Sequence, residues 1–374
     1  MKRILLFLTI WILTLSCKDE GGDDVNPMNL NFDLSGARAI LYSDEGVSSG
    51  RSKAGETHVF KIDDSGNITP VLEGIQVLSA HAISWGIIVT IYDDAESDGY
   101  RTFYAKSDNT FGEIEGSIGK LIGENDDGDV VFSNCAILRK ATLTLEEMET
   151  TLTSPTAQAM SGNFAIVTDN SVFQIHNTVT GRRYNVRGCN GPRIVAMDPT
   201  RSLLDDCQNA IIIDMTTGQR IEGDIAMLNH EGVRTQNGAV VLSQGLGADY
   251  NLYYLAEINV NGDVTLVNGY GFAPGSSSCS NCSDPNSVLF KTGEYFIVRE
   301  LSKVSVVKRG LADPIFILTN YNVTSISVTD NLVYYLAEDS AGIPIIGVYN
   351  LLNGENQILS ESKAMKFTAV QTIG

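Results

Sequence analysis

The sequence is poor in basic residues. Its 374 residues include 26 Lys and Arg against 45 Asp and Glu, which makes the formal net charge −19 at pH 7. A protein that binds nucleic acid needs a basic surface to neutralise phosphate groups, so this composition argues against that class. Only 19% of the residues are charged and 43% are hydrophobic, a balance typical of globular rather than disordered chains.

Motifs that identify common catalytic sites are also missing. The chain has no G-x-S-x-G nucleophile element and no glycine-rich phosphate loop. Its four histidines, His58, His81, His176 and His230, are too far apart in sequence for metal-ligand spacing. We expect His81 and Trp85, which lie beside one turn, to pack in the core rather than to form a site.

Helical periodicity is nearly absent after residue 37, with the short segment Leu145–Leu152 as the exception. Instead, apolar runs of five to nine residues alternate with polar turns, a pattern typical of β-strands. One unit recurs, consisting of a strand, a turn with glycine and a shorter strand. Its clearest copies are Val59–Gly74, Phe173–Gly188, Ala210–Gly223, Tyr254–Gly269 and Ile346–Ser360.

The spacing of the copies predicts how many units there are. The turn glycines Gly66, Gly181, Gly218, Gly262 and Gly354 are separated by 115, 37, 44 and 92 residues, which indicates a period of about 40. The gaps hold three weaker copies, Tyr104–Gly116, a segment around Ala141–Thr150, and Val304–Asn320, which brings the total to eight. We expect each turn glycine to adopt a positive φ, as tight hairpins require.

Two further strands precede each unit, as in Val77–Ser84 and Ile87–Tyr92. Four antiparallel strands per repeat predict the blade of a β-propeller. The first unit starts at its second strand, Ala37–Ser43, and the lone strand Met365–Thr372 at the end of the chain can supply the missing one. The predicted fold is therefore an all-β propeller of eight four-stranded blades, closed by pairing of the C-terminal strand with the N-terminal blade. Seven blades, if the segment around Ala141–Thr150 is not a blade, and an open β-solenoid are the alternatives.

The N-terminus has the features of an export signal. Lys2 and Arg3 precede 12 residues, Ile4–Leu15, that are almost all apolar, and Cys17 follows. A transmembrane helix needs about 20 such residues, so the run suits a signal peptide. The segment ending in Ser16-Cys17 resembles the bacterial lipoprotein signal, although Thr14 stands where that signal usually has Leu. The resemblance implies cleavage after residue 16 and lipidation of Cys17, with palmitate among the acyl groups, and it leaves an ordinary signal peptide as the alternative. Cleavage would change the net charge to −21.

The residues after Cys17 resemble a second signal. Lys18-Asp19-Glu20 is similar to the surface-export signal of Bacteroidetes lipoproteins, which implies an outer-membrane protein that faces the cell exterior. Residues 17–36 are polar and rich in Gly, Asp and Asn, a composition typical of a flexible tether. The predicted organisation is thus a signal peptide at 1–16, a lipidated tether at 17–36 and a propeller at 37–374.

Five cysteines follow Cys17. Because an exported protein meets an oxidising environment, we expect Cys189 and Cys207 to form a disulfide and Cys279 and Cys282 to form a local one. A redox pair or half of a zinc site is the alternative for the C-x-x-C sequence of Cys279 and Cys282. Cys135, in the predicted strand Val130–Leu138, is expected to be a buried, unpaired thiol.

The longer predicted loops belong to one face of the propeller. They join second to third strands or connect blades, and functional residues concentrate on the face that carries insertions. These loops define a candidate binding face whose residues are carboxylates and aromatics: Asp93, Asp94, Glu96, Asp98, Asp249, Glu338, Asp339, Tyr100, Tyr250, Tyr270 and Phe272. The carboxylates could hold Ca²⁺ or form a solvated rim, and no other cofactor is predicted. The acidic segment Asn125–Asp129 is expected to be a turn between first and second strands.

Three functions are compatible with these features. The first is a non-enzymatic surface lipoprotein that binds a glycan, a partner protein or a component of an outer-membrane complex. The second is an extracellular propeller hydrolase or lyase that acts on a polysaccharide, with paired carboxylates and possible dependence on Ca²⁺. The third is a structural subunit without a ligand of its own.

Overall fold

The chain is an eight-bladed β-propeller. A computed structural model describes residues 30–43, 59–72, 75–93, 99–116, 118–170, 172–186, 192–205, 210–222, 232–244, 251–273, 288–300, 302–361 and 367–374. Within these ranges the chain forms 32 strands and no helix, arranged in eight antiparallel sheets of four strands. The described part of the chain accordingly contains no helix that could span a membrane. The predicted fold class and the predicted number of blades are confirmed.

The blades are numbered here in chain order. Blade 1 contains β1 (Ala37–Tyr42), β2 (Val59–Asp63) and β3 (Ile68–Pro70), completed by β32 (Ala369–Thr372). Blade 2 contains β4 (Val77–Ile83), β5 (Gly86–Tyr92), β6 (Tyr100–Lys106) and β7 (Phe111–Glu113). Blade 3 contains β8 (Leu121–Glu124), β9 (Val130–Phe132), β10 (Ala136–Leu138) and β11 (Leu145–Glu147). Blade 4 contains β12 (Thr156–Ser161), β13 (Phe164–Asp169), β14 (Val172–Asn177) and β15 (Arg183–Val186).

The second half of the ring repeats this order. Blade 5 contains β16 (Arg193–Ala196), β17 (Arg201–Asp205), β18 (Ala210–Asp214) and β19 (Arg220–Glu222). Blade 6 contains β20 (Gly232–Thr235), β21 (Gly238–Gln244), β22 (Tyr253–Asn259) and β23 (Val264–Leu266). Blade 7 contains β24 (Leu289–Thr292), β25 (Tyr295–Arg299), β26 (Val304–Lys308) and β27 (Ile315–Ile317). Blade 8 contains β28 (Asn322–Thr329), β29 (Leu332–Glu338), β30 (Pro344–Asn350) and β31 (Asn356–Glu361).

The hydrophobic core is divided among the interfaces between blades. The two middle strands of a blade pack against neighbouring blades on both faces, so they are apolar along their whole length instead of alternating. In β13, for example, Phe164 to Thr168 are all buried. Between blades 4 and 5, Phe164, Ile175 and Ile211 belong to a cluster of 12 buried side chains. The outer strands β7, β11, β19 and β23 have three residues each and are largely exposed.

The turns between third and fourth strands follow the predicted chemistry. All five turn glycines named above have positive φ, between 69° and 92°. In blades 2 and 3 the corresponding turns carry Asn109 at φ 66° and Leu143 at φ 57°. Leucine rarely adopts this conformation, which explains why the third unit is the weakest match in sequence although it forms a complete blade.

The ring is closed by the two ends of the chain, as predicted. Strand β32 pairs antiparallel with β1, with Ala39 opposite Thr372 and Leu41 opposite Val370. Blade 1 therefore takes its innermost strand from the C-terminus and its other three strands from the N-terminal region. This pairing covers the edge of β1 that would otherwise expose unpaired backbone groups.

Two local predictions are wrong. Leu145–Leu152 contains no helix, because Leu145–Glu147 is the outer strand β11 and pairs with β10. The segment Val130–Leu138 is not one strand, since it folds back between β9 and β10 at a turn that places Cys135 at φ 63°. Cys135 is nevertheless a buried, free thiol, as expected.

The propeller unit starts earlier than the sequence indicates. It comprises Phe32 to Gly374, so residues 32–36 belong to it although the pattern assigns them to the tether. The Phe32 side chain is 1% exposed and its ring lies 5.0 Å from that of Phe111 in blade 2. The backbone N–H of Asp33 bonds to Val71 O at 3.1 Å, and the Asp33 carboxylate is 2.7 Å from Lys61 Nζ. Two buried apolar residues, Phe32 and Leu34, anchor residues 32–36 to the propeller although the surrounding segment is polar.

Candidate functional site

The two faces of the propeller differ in their connections. One face, here called the long-loop face, carries the connections from second to third strands and from one blade to the next. The other, the short-turn face, carries the first-to-second and third-to-fourth turns, such as Ser84–Trp85 and residues 64–67. Of the predicted face residues, Asp94, Glu96, Asp98, Asp249 and Tyr250 lie outside the described residues.

Asp93 is at the long-loop face but is not open to a ligand. It is 4% exposed, and its carboxylate lies 3.5 Å from the guanidinium of Arg101. Arg101 also donates a 2.8 Å hydrogen bond from Nε to Glu113. These contacts tie the end of β5 to β6 and β7, which gives Asp93 a structural role in blade 2.

The two predicted carboxylates of blade 8 differ from one another. Asp339 is half-buried, and its carboxylate accepts hydrogen bonds from the backbone N–H groups of Ala341 and Ile343, both at 2.8 Å. It therefore shapes the loop that follows β29. Glu338, the last residue of β29, is exposed, and its carboxylate has no hydrogen-bond or ion-pair partner among the described residues.

The predicted aromatic residues also occupy different environments. Phe272 is fully buried in the core between blades 6 and 7, so its ring is not exposed for stacking on a sugar. Tyr270 is half-buried, and its hydroxyl accepts a 2.9 Å hydrogen bond from Lys303. The Lys303 ammonium also lies 3.7 Å from the ring centroid of Phe316, a cation–π contact. Tyr100 starts β6 and is half-buried.

The short-turn end of the central channel is bridged by an ion pair. Arg234, on the inner strand of blade 6, lies 2.6 Å from Asp126, in the β8–β9 turn of blade 3. Blades 4 and 5 lie between these two in the ring, so the pair reaches across the channel. Asp126 also lies against the turn of blade 4, where a Cβ added to Gly162 would be 3.3 Å from its carboxylate. The acidic segment Asn125–Asp129 is thus a first-to-second-strand turn, as predicted.

Asp129 in the same turn is held by three donors. The Arg139 guanidinium lies 2.8 Å from its carboxylate, the Lys140 N–H donates at 2.9 Å, and the Asn125 amide donates at 3.3 Å. Burial of Asp129 opposes its ionisation, but these hydrogen bonds outweigh burial and hold its pKa below the ordinary value. Across the described ranges, no group of three or more His, Cys, Asp or Glu side chains is arranged to hold a metal ion.

His81 and Trp85 lie in blade 2. Trp85 is buried in the core between blades 2 and 3, and its indole N–H donates a 2.8 Å hydrogen bond to Gly128 O. His81 is half-buried and lines a cavity of about 460 Å³ between the same blades, together with Tyr100, Thr102 and Lys120.

A larger cavity lies at the seam where the ring closes. This seam cavity has a volume of about 1040 Å³ and lies between blade 8 and blade 1. It extends from the turn at Asp63–Asn67 on the short-turn side to Glu338 and Phe367 on the long-loop side. Nine of its lining residues are apolar: Phe60, Ile68, Leu336, Ala337, Pro344, Ile345, Ile346, Leu359 and Phe367. The remaining ones are Gly66 and the polar residues Asp63, Asn67, Thr69, Thr324, Glu338, Ser360 and Thr368.

The cavity exists because the two blades fill their interface incompletely. The hydrophobic cluster between blades 8 and 1 has seven buried side chains and six that are only partly buried. The cluster between blades 4 and 5 has 12 buried side chains and one that is partly buried. The partly buried residues include Phe60, Leu359 and Phe367, which form the cavity wall. Phe60 and Phe367 contact each other edge to face, with their ring centroids 5.5 Å apart. This contact fixes the position of both rings on one side of the cavity.

The two carboxylates that line the cavity have different surroundings. Asp63 accepts hydrogen bonds from the N–H groups of Ser65 and Asn67 at 2.8 Å and from the Asn67 amide at 2.9 Å. The bonds from Asn67 lower the pKa of Asp63 and keep it ionised, against a small opposing effect of burial. Glu338 has no hydrogen-bond or ion-pair partner among the described residues. Within the described part of the chain, the site therefore offers one unpaired carboxylate beside an apolar wall.

Sequence reasoning identified one residue of this cavity, Glu338, and missed the others. In the sequence, Phe60, Ile68 and Leu359 look like any other apolar strand residues. Phe367 belongs to the predicted closing strand Met365–Thr372, but nothing in the sequence indicates that it lines a cavity. Cys17, Cys189, Cys207, Cys279 and Cys282 lie outside the described residues, so lipidation and the disulfides stay predictions.

Comparison with known proteins supports the fold. Dihydro-heme d1 dehydrogenase NirN in complex with DHE is 12% identical, with a TM-score of 0.54 over 92% of this chain and 77% of that one. Porphyromonas gingivalis dipeptidyl peptidase 4 is 9% identical, with a TM-score of 0.46 over 89% of this chain. The extracellular domain of a one-component system from B. thetaiotaomicron is 11% identical, with a TM-score of 0.39 over 84% of this chain and 52% of that one.

At 12% identity, the likeness to NirN shows the fold alone. The chain spans about half the length, 54%, of dipeptidyl peptidase 4 and of a Mycobacterium tuberculosis puromycin-hydrolyzing peptidase. No protein-family model matches the chain, and no curated protein matches it.

Proposed function

We propose that this chain is a non-catalytic binding protein, anchored to the outer membrane through a lipid on Cys17 and facing the cell exterior. Its propeller binds a ligand or partner at the long-loop face, in and around the seam cavity. A glycan or a component of an outer-membrane complex is the kind of partner that the sequence suggests.

The seam cavity is the observation that carries the proposal. Ligand sites are typically concave, mostly apolar and equipped with a few polar groups, and this cavity has that composition. It includes Glu338, which is exposed and has no partner among the described residues, unlike the other two predicted face carboxylates that the structure describes, Asp93 and Asp339.

The binding face can be tested by site-specific cross-linking. A photoreactive amino acid is placed at Glu338 on the long-loop face or at Glu355 on the short-turn face of the same blade. After irradiation of intact cells, we expect position 338 to give specific adducts and position 355 to give none. Equal adducts from both positions, adducts from 355 alone, or none from either would contradict the proposal.

The anchor is tested by Cys17→Ala. Because several acyl chains provide stable membrane attachment, loss of the lipidated thiol should move most of the protein from the membrane to the soluble fraction, as measured by fractionation and immunoblotting. Cys135→Ala, which removes a buried thiol of the propeller, should leave the protein in the membrane fraction. Retention of the Cys17→Ala protein in membranes would overturn the lipid anchor.

A further inference from the structure

Among the described residues, the charged side chains that line the seam cavity are all acidic. Its lining includes the carboxylates of Asp63 and Glu338 and no Lys, Arg or His. Asp63 is committed to its own turn, as its three hydrogen bonds show. The Glu338 carboxylate is therefore the charge that a ligand in the cavity can pair with.

The rest of the wall selects for apolar surface. Phe60, Leu359 and Phe367 expose part of their side chains to the cavity without filling it. A ligand that covers these side chains removes their apolar surface from water, which favours binding. A volume of about 1040 Å³ is at the upper end of the range for drug-sized ligands, so the cavity can take a group larger than one aromatic ring.

The buried hydroxyl of Thr69 is not a contact for a ligand in this cavity. Thr69 lies opposite Lys61 in the β2–β3 pair, and successive side chains of a strand point to opposite faces of the sheet. Thr69 therefore points away from the seam, whereas Ile68 packs against it. The cavity thus has an apolar wall and an anionic group at the long-loop end.

We propose that the seam cavity binds an apolar molecule that carries a cationic amino group, with the apolar part between blades 8 and 1 and the amine at Glu338. This inference rests on the proposed function and specifies its ligand class. Charge complementarity argues for the amine, because an anionic ligand of the same shape would meet the Glu338 carboxylate without a counter-charge in the described lining.

A pair of matched fluorescent probes tests the ligand class. Dansylcadaverine carries an amine on an apolar dansyl group, and dansyl-aminohexanoic acid carries a carboxylate on the same group. Each is titrated into the purified full chain at low salt, and binding is followed by dansyl fluorescence. We expect dansylcadaverine to bind at least 5-fold more tightly than the acid.

Variants locate the bound probe. Glu338→Gln should weaken dansylcadaverine binding by about 5-fold, because exposed ion pairs contribute modestly, and Glu338→Lys should reverse the preference between the two probes. Ser360→Trp fills the cavity from β31 and should abolish binding of both. Glu361→Lys, on the neighbouring residue outside the lining, is the matched control and should keep the preference for the amine. Circular dichroism and the melting temperature of each variant establish that it is folded.

Several results would overturn the proposal. Equal affinity for both probes, tighter binding of the acid, or no binding of either would refute the ligand class. Binding that survives Ser360→Trp in a folded protein would place the probe elsewhere. These titrations use purified protein and defined probes. Their outcome is therefore independent of the cross-linking experiment at position 338, which tests the proposed function in cells.

Discussion

At the scale of single residues, glycines decide where strands can approach each other. Gly86 starts β5, and a Cβ added there would lie 2.0 Å from Ala105 O and 2.9 Å from Lys106 Cα. Both are backbone atoms of the paired strand β6, so they cannot move aside without distorting the sheet. Gly181 differs, because its φ is +69° and an added Cβ would meet nothing within 4 Å.

These two glycines give a matched prediction. Gly86→Ala should lower the free energy of unfolding by about 3 kcal/mol, since it forces a steric overlap in a packed sheet. Gly181→Ala should lower it by about 1 kcal/mol, because only the left-handed conformation is penalised. Urea unfolding of both variants measures the difference, and equal losses would show that the overlap at Gly86 is relieved without distortion.

His176 is a buried histidine on the third strand of blade 4. It is 1% exposed, and burial, with a smaller effect of the nearby Arg183 charge, lowers its pKa to about 4. Its Nε2 lies 3.0 Å from Gln174 Oε1. The Gln174 amide donates to Thr151 and Asn185, so Oε1 is an acceptor and the neutral imidazole carries its proton on Nε2.

The buried imidazole makes stability depend on pH. The unfolded chain binds a proton at His176 below about pH 6.5, whereas the folded chain binds one only below about pH 4. The free energy of unfolding therefore falls as the pH decreases through this window, by about 2 kcal/mol between pH 7 and pH 4.5. His176→Gln keeps an N–H donor that does not titrate.

We expect the loss of stability on acidification to be about 2 kcal/mol smaller in His176→Gln than in the natural chain. Urea unfolding at pH 7 and pH 4.5 measures both losses. Carboxylates such as Asp129 contribute equally to the two proteins and cancel in the difference. Identical pH dependence in the two proteins would mean that His176 is not buried in its neutral form.

At the scale of elements, side chains from one inner strand satisfy the backbone of the next. Ser325 and Ser327 of β28 accept hydrogen bonds from the N–H groups of Val370 and Thr372, at 3.3 and 3.0 Å. Gln371 of β32 accepts one from Ala82 N at 2.7 Å. Inner strands have one unpaired edge that faces the channel, and these bonds link consecutive blades along it.

The link from Gln371 to blade 2 can be removed without changing side-chain size. Gln371→Met keeps the volume but lacks the acceptor, so the Ala82 N–H loses its partner. We expect the free energy of unfolding to fall by about 1 kcal/mol in urea titrations. Gln357→Met, on the exposed outer strand β31, is the control and should have little effect. A loss of equal size in the control would mean that the interblade bond does not contribute.

At the scale of the whole molecule, ring closure depends on four residues at the C-terminus. Strand β32 holds two buried apolar side chains, Ala369 and Val370, and pairs with β1 over its whole length. It also contacts the neighbouring blades through the hydrogen bonds described above. Removing it would expose the edges of blades 8, 1 and 2 together.

A chain that ends at Glu361 tests this closure. We expect its free energy of unfolding to fall by at least about 3 kcal/mol, because the apolar surface under β32 becomes exposed, and we expect it to associate through the open edge of β1. Thermal unfolding and size-exclusion chromatography measure both effects, and a chain that lacks only Gly374 is the control. A monomer with the melting temperature of the full chain would contradict the role of β32 as the closing strand.

Much of the fold could be predicted from sequence, because its signals are local. Strand length, turn glycines and a period of about 40 residues are properties of neighbouring residues, and they predict blades, their number and the closing strand. The errors are local as well. The turn at Cys135 has no glycine, and Phe32 and Leu34 are two apolar residues in a polar segment.

The candidate site was predicted only in part. The long-loop face and Glu338 follow from loop position, which the strand pattern reveals. The burial of Asp93 and Phe272 does not follow from loop position. Asp93 is buried against Arg101 in the adjacent strand, and Phe272 is buried because blades 6 and 7 pack around it. Loop membership alone does not distinguish an exposed side chain from one that anchors its loop.

The sequence by itself determined a series of four-stranded β units and favoured a closed ring of eight, because strand length, turns and repeat length are encoded within each unit of about 40 residues. Only the tertiary structure decided where the propeller has its seam cavity. The seam cavity combines residues 60–69 with residues 324–368, segments at opposite ends of the propeller that meet when the ring closes. Its shape depends on how completely the side chains of blades 8 and 1 fill their shared interface, and that fit arises only when the two blades are in contact.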